Sequence, residues 1–268
     1  MKHYLSTLSE IENAVSSAGR ILIACDFDGT LCPIEKSPDG VILSDTATET
    51  LWKLIDAGIT LAIISGRSLE DLAQRVPFDI ILAGNHGLEI HCDGIDFRQP
   101  DAVSMESAVH SACDLLKNVV VDWPGAWVEN KGLSATVHYR NLKCSDTCDF
   151  LFAVRRRLSE FNAKLAYRAG KKAFEIRPKV GWDKGSALEY IQTRKGPFDL
   201  TICIGDDRTD ESMFRANRGQ VNVKVGNSAS SVATQYVTDA PEALTFLDYL
   251  ATTRAAPIGV ESEFAGRF

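Results

Sequence analysis

Several polar groups in this chain each follow directly after a short apolar run. The first of them holds two carboxylates, Asp26 and Asp28, and the glycine after the second permits a sharp turn. The others are Ser65-Gly66-Arg67, residues 84–87 (Gly-Asn-His-Gly) and residues 205–211 (Gly-Asp-Asp-Arg-Thr-Asp-Glu), and Lys184 precedes the last of these groups. Because the carboxyl ends of the strands form the ligand-binding edge of an open α/β sheet, we expect these groups to meet in one crevice.

The charges of such a crevice indicate its chemistry. Several carboxylates cannot all ionise side by side without a cation, and hard oxygen ligands suit Mg²⁺, which also takes phosphate oxygens of a substrate. A lysine, a serine hydroxyl and glycine N–H groups are donors that bind anions, so the whole set describes a phosphoryl-transfer site. One aspartate can form an aspartyl phosphate. A second, two residues away, can protonate the leaving oxygen and later deprotonate the water.

The apolar runs that precede these groups predict a parallel sheet. They are nearly continuous rather than alternating, which is typical of strands buried on both faces. The runs are residues 21–25, 59–64, 80–83 and 200–204. Helical periodicity is found at residues 45–57, 68–75 and 183–195. This alternation predicts a doubly wound parallel-sheet, Rossmann-like α/β core.

The pattern changes between residues 101 and 180. Its order is helix, two strands, helix, two strands, at residues 104–117, 126–129, 134–139, 146–161, 164–168 and 173–177. This order predicts an α+β cap, an antiparallel sheet with two helices, inserted into the core. We therefore expect a catalytic core of residues 1–100 and 181–268 and a cap domain of residues 101–180.

Taken together, the motifs resemble those of a known superfamily. Residues 26–31, 65–67, Lys184 and residues 205–207 look like the four motifs of the haloacid-dehalogenase-like (HAD) phosphatases. Residues 84–90, 175–178 and 205–211 narrow the resemblance to the trehalose-6-phosphate phosphatases. The resemblance covers the core from about residue 20 to residue 250, and the inserted segment is placed like the cap of sugar phosphatases in that superfamily.

The resemblance implies a role for each motif residue. It implies that Asp26 is the nucleophile and Asp28 the acid/base, with Lys184 as the third catalytic group. The implied phosphate-binding residues are Ser65, Gly66, Arg67 and Lys184. The implied Mg²⁺ site consists of Asp26, Asp28 through its backbone carbonyl, and Asp206, with Asp207 and Asp210 supporting the metal shell. Charged donors and acceptors recognise the hydroxyl groups of a disaccharide, and the implied substrate-binding residues of the cap are Glu129, Lys131, Arg140, Lys171 and Glu175.

Other conspicuous residues are expected to be structural. His86, in a turn flanked by glycines, is expected to hold its loop rather than to take part in catalysis. The four tryptophans are expected in core or hinge packing rather than as platforms for a sugar ring; they are Trp52, Trp123, Trp127 and Trp182. The seven cysteines are odd in number and show no disulfide framework, so we expect ordinary thiols.

Length, composition and charge exclude several classes of protein. The 268 residues suit one large domain or two modest ones, and 45% hydrophobic with 24% charged residues is ordinary for a globular protein. A net charge of −7 disfavours nonspecific nucleic-acid binding, and no apolar run approaches the roughly 20 residues of a membrane helix. The N-terminus lacks the apolar region of a signal peptide. We expect a cytoplasmic protein without nucleic-acid or membrane partners, and the sequence carries no signal for an oligomeric state.

These observations predict a Mg²⁺-dependent phosphatase of a sugar phosphate, and the resemblance implies trehalose 6-phosphate as the substrate. Three alternatives stay open at this point. The core motifs contact only the phosphate, so another sugar phosphate, such as that of sucrose or glucosylglycerol, fits them as well. A phosphotransferase or mutase would pass the aspartyl phosphate to a sugar. A noncatalytic sugar-phosphate sensor would keep the fold without the reaction.

Overall fold

The computed structural model describes residues 1–35, 40–169 and 172–255 of the chain. Its strands are, in chain order, β1 (Lys2–His3), β2 (Ile21–Cys25), β3 (Thr60–Ile64), β4 (Ile81–Gly84), β5 (Glu89–Cys92), β6 (Ile95–Arg98), β7 (Trp127–Asn130), β8 (Ala135–His138), β9 (Leu165–Ala169), β10 (Ala173–Pro178), β11 (Leu200–Gly205), β12 (Val221–Val225) and β13 (Gln235–Val237). Its α-helices are α1 (Leu8–Ser17), α2 (Asp45–Asp56), α3 (Leu69–Arg75), α4 (Pro100–Ser104), α5 (Glu106–Val120), α6 (Thr147–Leu158), α7 (Lys184–Lys195), α8 (Asp210–Ala216) and α9 (Ala240–Ala255). The strands form two sheets, a nine-stranded large sheet and a four-stranded small sheet.

The large sheet has the strand order β1-β13-β12-β11-β2-β3-β4-β5-β6. Strand β2 lies in its middle, and all five residues of this strand are buried. Ile21 and Ile23 join one apolar cluster, whereas Leu22 and Ala24 join another, because successive side chains point to opposite faces of the sheet. Burial on both faces explains the continuous apolar runs in the sequence, and the expected doubly wound α/β fold is confirmed.

The topology of the large sheet places a crevice beside β2. From β2 the chain moves outward through β3 and β4, and it later returns through β11 on the other side of β2. Both neighbours run parallel to β2. The loops after β2 and β11 therefore leave the same edge of the sheet and diverge, which opens a crevice at this point.

The apolar runs do not predict the hairpin of β5 and β6 at one edge of the large sheet. Both strands are only four residues long and pair in antiparallel fashion. Burial alternates along β5, from Ile90 to the exposed His91 and the buried Cys92. A half-covered strand of this length lacks the continuous apolar run that reveals the central strands.

The small sheet is antiparallel, with the order β7-β8-β10-β9, and helices α5 and α6 pack against one of its faces. Alternation along β10 shows how the sheet is built. Phe174 and Ile176 are buried in the apolar cluster beneath the helices, whereas Glu175 and Arg177 lie on the opposite face. The expected second unit, an antiparallel sheet with two helices, is therefore present. None of the helices in the described ranges combines the length and the apolar character that crossing a membrane requires.

Two phenylalanines on α6 test the packing of the small sheet. Phe150 is fully buried against Trp123 and Tyr139, whereas 70% of Phe152 is exposed. Because F150A leaves a cavity in the apolar cluster, we expect it to lower the free energy of unfolding by about 3–5 kcal/mol. The matched control F152A should change it by less than about 0.5 kcal/mol. Denaturant unfolding followed by circular dichroism measures both, and equal losses would contradict this packing.

Candidate active site

Adjacent strand ends bring the acidic residues of two motifs together. Cys25 at the end of β2 pairs with Ile204 on β11, so the residues that follow these strands emerge side by side. One carboxylate oxygen each from Asp26, Asp206 and Asp210 lie within 4.8 Å of one another. These three aspartates therefore lie together in one crevice, as the sequence predicts.

Gly29 allows the first loop to pass beside this cluster. Its backbone has a φ of +85°, a conformation that favours glycine. A Cβ atom at this position would lie 2.5 Å from the carboxylate of Asp206. A side chain at residue 29 would therefore push into the acidic cluster.

Lys184 joins the acidic cluster from the start of α7. The side chain of Asp183 caps this helix by accepting the N–H groups of Gly185 and Ser186. The Nζ atom of Lys184 lies 2.7 Å from Oδ1 of Asp26 and 2.6 Å from Oδ1 of Asp210. Although burial alone would lower the pKa of Lys184, the charges of these two carboxylates raise it above its usual value. Lys184 is therefore a buried, permanently charged ammonium group.

Asp210 holds Lys184 in place from the interior. Its side chain is fully buried, and its second oxygen, Oδ2, accepts the backbone N–H of Asp207 at 2.8 Å. The backbone carbonyl of Asp207 in turn accepts Nζ of Lys224 at 2.9 Å. Asp207 and Asp210 thus take part in a fixed network, and Asp207 also lines the cavity described below.

The electrostatics of the cluster suit a divalent cation. Burial raises the pKa of Asp26 well above its usual value, and the neighbouring carboxylates of Asp210 and Asp206 add to the rise, while Lys184 opposes it. Burial, Asp210 and Asp207 raise the pKa of Asp206 to about 6. One ammonium group does not balance three carboxylates that lie this close. Their hard oxygen atoms are the ligands that Mg²⁺ prefers, so the donor set fits this ion.

The carboxylate of Asp28 is paired with Arg67 instead of joining the acidic cluster. Nε of Arg67 lies 2.7 Å from Oδ2 of Asp28, and Nη2 lies 2.6 Å from Oδ1. The Nη1 atom of Arg67 donates to Asp71 at 2.7 Å, and Asp71 also binds Arg75. The resemblance implies that Asp28 contacts the metal through its backbone carbonyl, so the pairing of its side chain with Arg67 does not affect that expectation. Arg67, expected to bind phosphate, holds two carboxylates in this structure.

The turn of Ser65 and Gly66 is packed against His86. The backbone N–H of His86 donates to the carbonyl of Ser65 at 2.7 Å, and Oγ of Ser65 accepts the N–H of Arg67 at 3.2 Å. A Cβ atom at Gly66 would lie 2.6 Å from Cε1 of His86, so only glycine fits between them. Gly66 and Arg67 line the cavity, whereas Ser65 is 1% exposed and lies behind them.

His86 connects this turn to the small sheet. Its Nε2 atom lies 2.5 Å from Nη2 of Arg177 and 3.6 Å from Oε1 of Glu175, both on β10. Burial, together with the charge of Arg177, lowers the pKa of His86 to about 3, so its ring is neutral. These contacts give His86 the loop-holding position that was expected of it.

A cavity of about 530 Å³ separates the acidic cluster from the small sheet. Four of the five expected sugar-binding residues line it: Glu129, Lys131, Arg140 and Glu175. The fifth, Lys171, lies outside the described residues. Nζ of Lys131 donates to the carbonyl of Gly66 at 3.0 Å, which ties the small sheet to the turn of Ser65 and Gly66.

The two expected sugar-binding glutamates are held as carboxylates. Although burial would raise the pKa of Glu175, its contact with His86 and the charge of Arg177, whose Nη2 atom lies 2.6 Å from Oε2 of Glu175, lower it. Burial also opposes the shift at Glu129, whose pKa is lowered by the hydrogen bond from His138 and by Lys131. Both side chains are therefore strong acceptors for hydroxyl groups.

The expectation of core or hinge packing is wrong for two of the tryptophans. Trp127 is 39% exposed and lines the cavity, and Trp52 is 56% exposed on α2. Trp123 packs against Phe150, and Trp182 packs in the second cluster of the large sheet, as expected. The spacing of Trp127 from Glu129 and Lys131, two and four residues, is the sequence signal that places it on the same strand face.

Five further polar residues line the cavity: His138, Arg168, Lys172, Arg208 and Thr209. The sequence assigns Lys172, Arg208 and Thr209 no role. His138 and Arg168 lie on β8 and β9 in the face that carries Glu129 and Glu175. Strand alternation places both residues on this face once the pairing of the four strands is known.

Comparison with known proteins supports the resemblance drawn from the motifs. The family described as trehalose-phosphatase matches residues 24–248. An uncharacterized glycosyl hydrolase of Mycobacterium tuberculosis is 38% identical over 228 residues, which is 80% of this chain but only 17% of the relative's length. A probable trehalose-phosphate phosphatase E of Arabidopsis thaliana is 31% identical over 279 residues, covering 97% of this chain and 78% of the relative.

A solved structure agrees with these relatives. The C-terminal domain of a trehalose-6-phosphate phosphatase of C. albicans has a TM-score of 0.76 and 25% identity, covering 91% of this chain and 96% of that one. The family match begins just before Asp26 and extends beyond Asp210, so it spans both the acidic cluster and the small sheet. On these grounds the chain belongs to the trehalose-phosphatase family.

Proposed function

We propose that this protein hydrolyses trehalose 6-phosphate to trehalose and phosphate through an aspartyl-phosphate intermediate. The observation that carries the proposal is the buried pair of Asp26 and Lys184, set beside Asp206 and across a cavity from the small sheet. Family membership supports the reaction class, and the names of the relatives support the substrate. A cavity of about 530 Å³ with a charged lining suits a phosphorylated sugar.

In the first step, a carboxylate oxygen of Asp26 attacks phosphorus and the bond from phosphorus to the sugar oxygen breaks. Asp28 gives its proton to the departing oxygen, which leaves as a hydroxyl group of trehalose. Lys184 contacts Asp26 and Asp210 with two of its three N–H groups, and the third is directed to phosphate in this proposal. Asp26, Asp206 and the backbone carbonyl of Asp28 would hold Mg²⁺, which would supply positive charge that offsets the repulsion between nucleophile and phosphate.

In the second step, water attacks the phosphorus of the aspartyl phosphate. Asp28, now ionised, takes a proton from this water, the bond between Asp26 and phosphorus breaks, and inorganic phosphate forms. Both steps use the same two carboxylates. The protein ends the cycle with Asp26 ionised and Asp28 protonated, as it began.

Because Asp28 is paired with Arg67, its side chain must move before it can act on the substrate. Both oxygens of the Asp28 carboxylate accept hydrogen bonds from the guanidinium group of Arg67, so neither is available to a leaving group while this pair is intact. We infer that, when substrate binds, Asp28 leaves Arg67, takes up a proton from solvent and turns to the leaving oxygen. Arg67 then turns its released N–H groups to the phosphate, which reconciles its present contacts with the expected phosphate-binding role.

The small sheet recognises the sugar in this proposal. Glu129 and Glu175 accept hydrogen bonds from hydroxyl groups, while Lys131 and Arg140 donate hydrogen bonds to hydroxyl oxygens. Because Lys131 also binds the carbonyl of Gly66, the sugar and the phosphate are held by connected groups.

Asp26→Asn tests the nucleophile. The amide keeps the shape of the side chain but lacks the anionic oxygen, so we expect phosphate release to fall by at least about a thousandfold. The melting temperature of D26N should be equal to or higher than that of the parent, because the variant removes a buried charge. The control D248N changes an exposed carboxylate on α9 and should match the parent. Turnover by D26N within tenfold of the parent would refute the assignment.

Removal of the metal tests the cation site. Chelation should abolish phosphate release, and added Mg²⁺ should restore it. Because an ion that binds only the folded state stabilises it, Mg²⁺ should also raise the melting temperature of the parent. D206N removes a ligand, so it should need more Mg²⁺ for activity and show a smaller thermal shift. If neither the rate of phosphate release nor the melting temperature changes when Mg²⁺ is added, the proposed cation site is wrong.

Glu175→Gln tests sugar recognition. Loss of a charged acceptor should lower kcat/KM for trehalose 6-phosphate by about ten- to a hundredfold. The loss for a small aryl phosphate, which has no sugar hydroxyls, should be much smaller. D114N, an exposed position on α5, serves as the control. Equal losses of kcat/KM on both substrates would show that Glu175 does not bind the sugar.

A further inference from the structure

The cavity-facing side of the small sheet is built in rows that run across its strands. The row nearest the large sheet holds Lys131 and Arg177, which bind Gly66 and His86. Register then places Glu129 opposite Thr136, Thr136 opposite Glu175, and Glu175 opposite Arg168, which forms the middle row. Distance from the turn of Ser65 and Gly66 therefore increases from row to row.

The outer row is different in character. Trp127 on β7 lies opposite His138 on β8, which lies opposite Ala173 on β10. The indole and imidazole rings are stacked, with centroids 4.0 Å apart and planes 13° from parallel. All three residues line the cavity, and Trp127 is 39% exposed. This row is the aromatic end of a sheet face whose other two rows carry mostly charged side chains.

His138 fixes the orientation of this aromatic pair. Its Nε2 atom lies 2.7 Å from Oε2 of Glu129 in the middle row. The imidazole ring is therefore held by a carboxylate on one edge and covers one part of the indole. A rigid aromatic surface with a polar neighbour is suited to a ligand that is apolar on one face and hydroxylated at its edge.

A hexopyranose ring has these properties, because its C–H groups form an apolar face and its hydroxyl groups point outward. Strand geometry gives the spacing. Trp127 lies two residues from Glu129 and four from Lys131, which is about 7 Å and about 14 Å along an antiparallel strand. A ring whose phosphate reaches the turn at Gly66 occupies the first two rows. A second ring joined to it reaches the outer row.

We propose that Trp127 and His138 form a stacking subsite for the sugar ring that carries no phosphate. This inference rests on the proposed function and names how the protein distinguishes a disaccharide phosphate from a monosaccharide phosphate. Covering the exposed indole with the second ring removes apolar surface from water, a gain that a single ring cannot provide. Trp127 thus acts on substrate choice and not on the reacting atoms.

The test compares three substrates: trehalose 6-phosphate, glucose 6-phosphate and p-nitrophenyl phosphate. For W127A, the loss in kcat/KM should be on the order of tenfold larger with trehalose 6-phosphate than with either other substrate, mainly through KM. W127F keeps an aromatic face and should recover most of the loss. W52A, which removes an exposed indole from α2, should match the parent.

The outcomes separate this inference from the function on which it rests. If the parent prefers trehalose 6-phosphate and W127A loses equally on all three substrates, the subsite is overturned and the proposed function stands. If the parent itself shows no preference for trehalose 6-phosphate over glucose 6-phosphate, the proposed function fails, and the subsite fails with it. Should W127A lose p-nitrophenyl phosphate turnover by misfolding, W127L repeats the comparison with an apolar side chain that lacks the ring.

Discussion

The buried ammonium group of Lys184 between Asp26 and Asp210 is the interaction on which the site depends. Two parallel strands end side by side and deliver carboxylates to one point, where burial makes uncompensated charge costly. Lys184 offsets part of that charge, and its helix begins where Asp183 caps it. The remaining negative charge gives the cluster its affinity for a cation. The same excess charge would repel a phosphate if no cation were bound.

The sequence predicts the core of this arrangement well because two signals coincide there. Continuous apolar runs identify the strands buried on both faces, and polar groups placed directly after them identify the ligand-binding edge. Asp26, Lys184 and Asp206 meet as predicted. The hairpin of β5 and β6 is missed because its strands are short and half covered. Periodicity in a single strand does not reveal such an edge element.

Contacts between distant parts of the chain are the other source of error. Nothing in the motifs indicates that Arg67 holds the carboxylate of Asp28, 39 residues away. Trp127 is misjudged because its spacing from Glu129 and Lys131 shows that these residues share a strand face but not that this face lines the cavity. That follows only from the pairing of β7 with β8 and of β8 with β10. Side-chain partners and strand faces are tertiary properties, so local pattern decides neither of them.

Arg67 uses separate N–H groups for its two carboxylates, Nε and Nη2 for Asp28 and Nη1 for Asp71. Rotation of Asp28 away from Arg67 therefore leaves the contact with Asp71 intact. In the proposed reaction, Asp28 can therefore turn to the leaving oxygen by rotation about the bonds of its own side chain. Such rotations take picoseconds to nanoseconds at accessible positions.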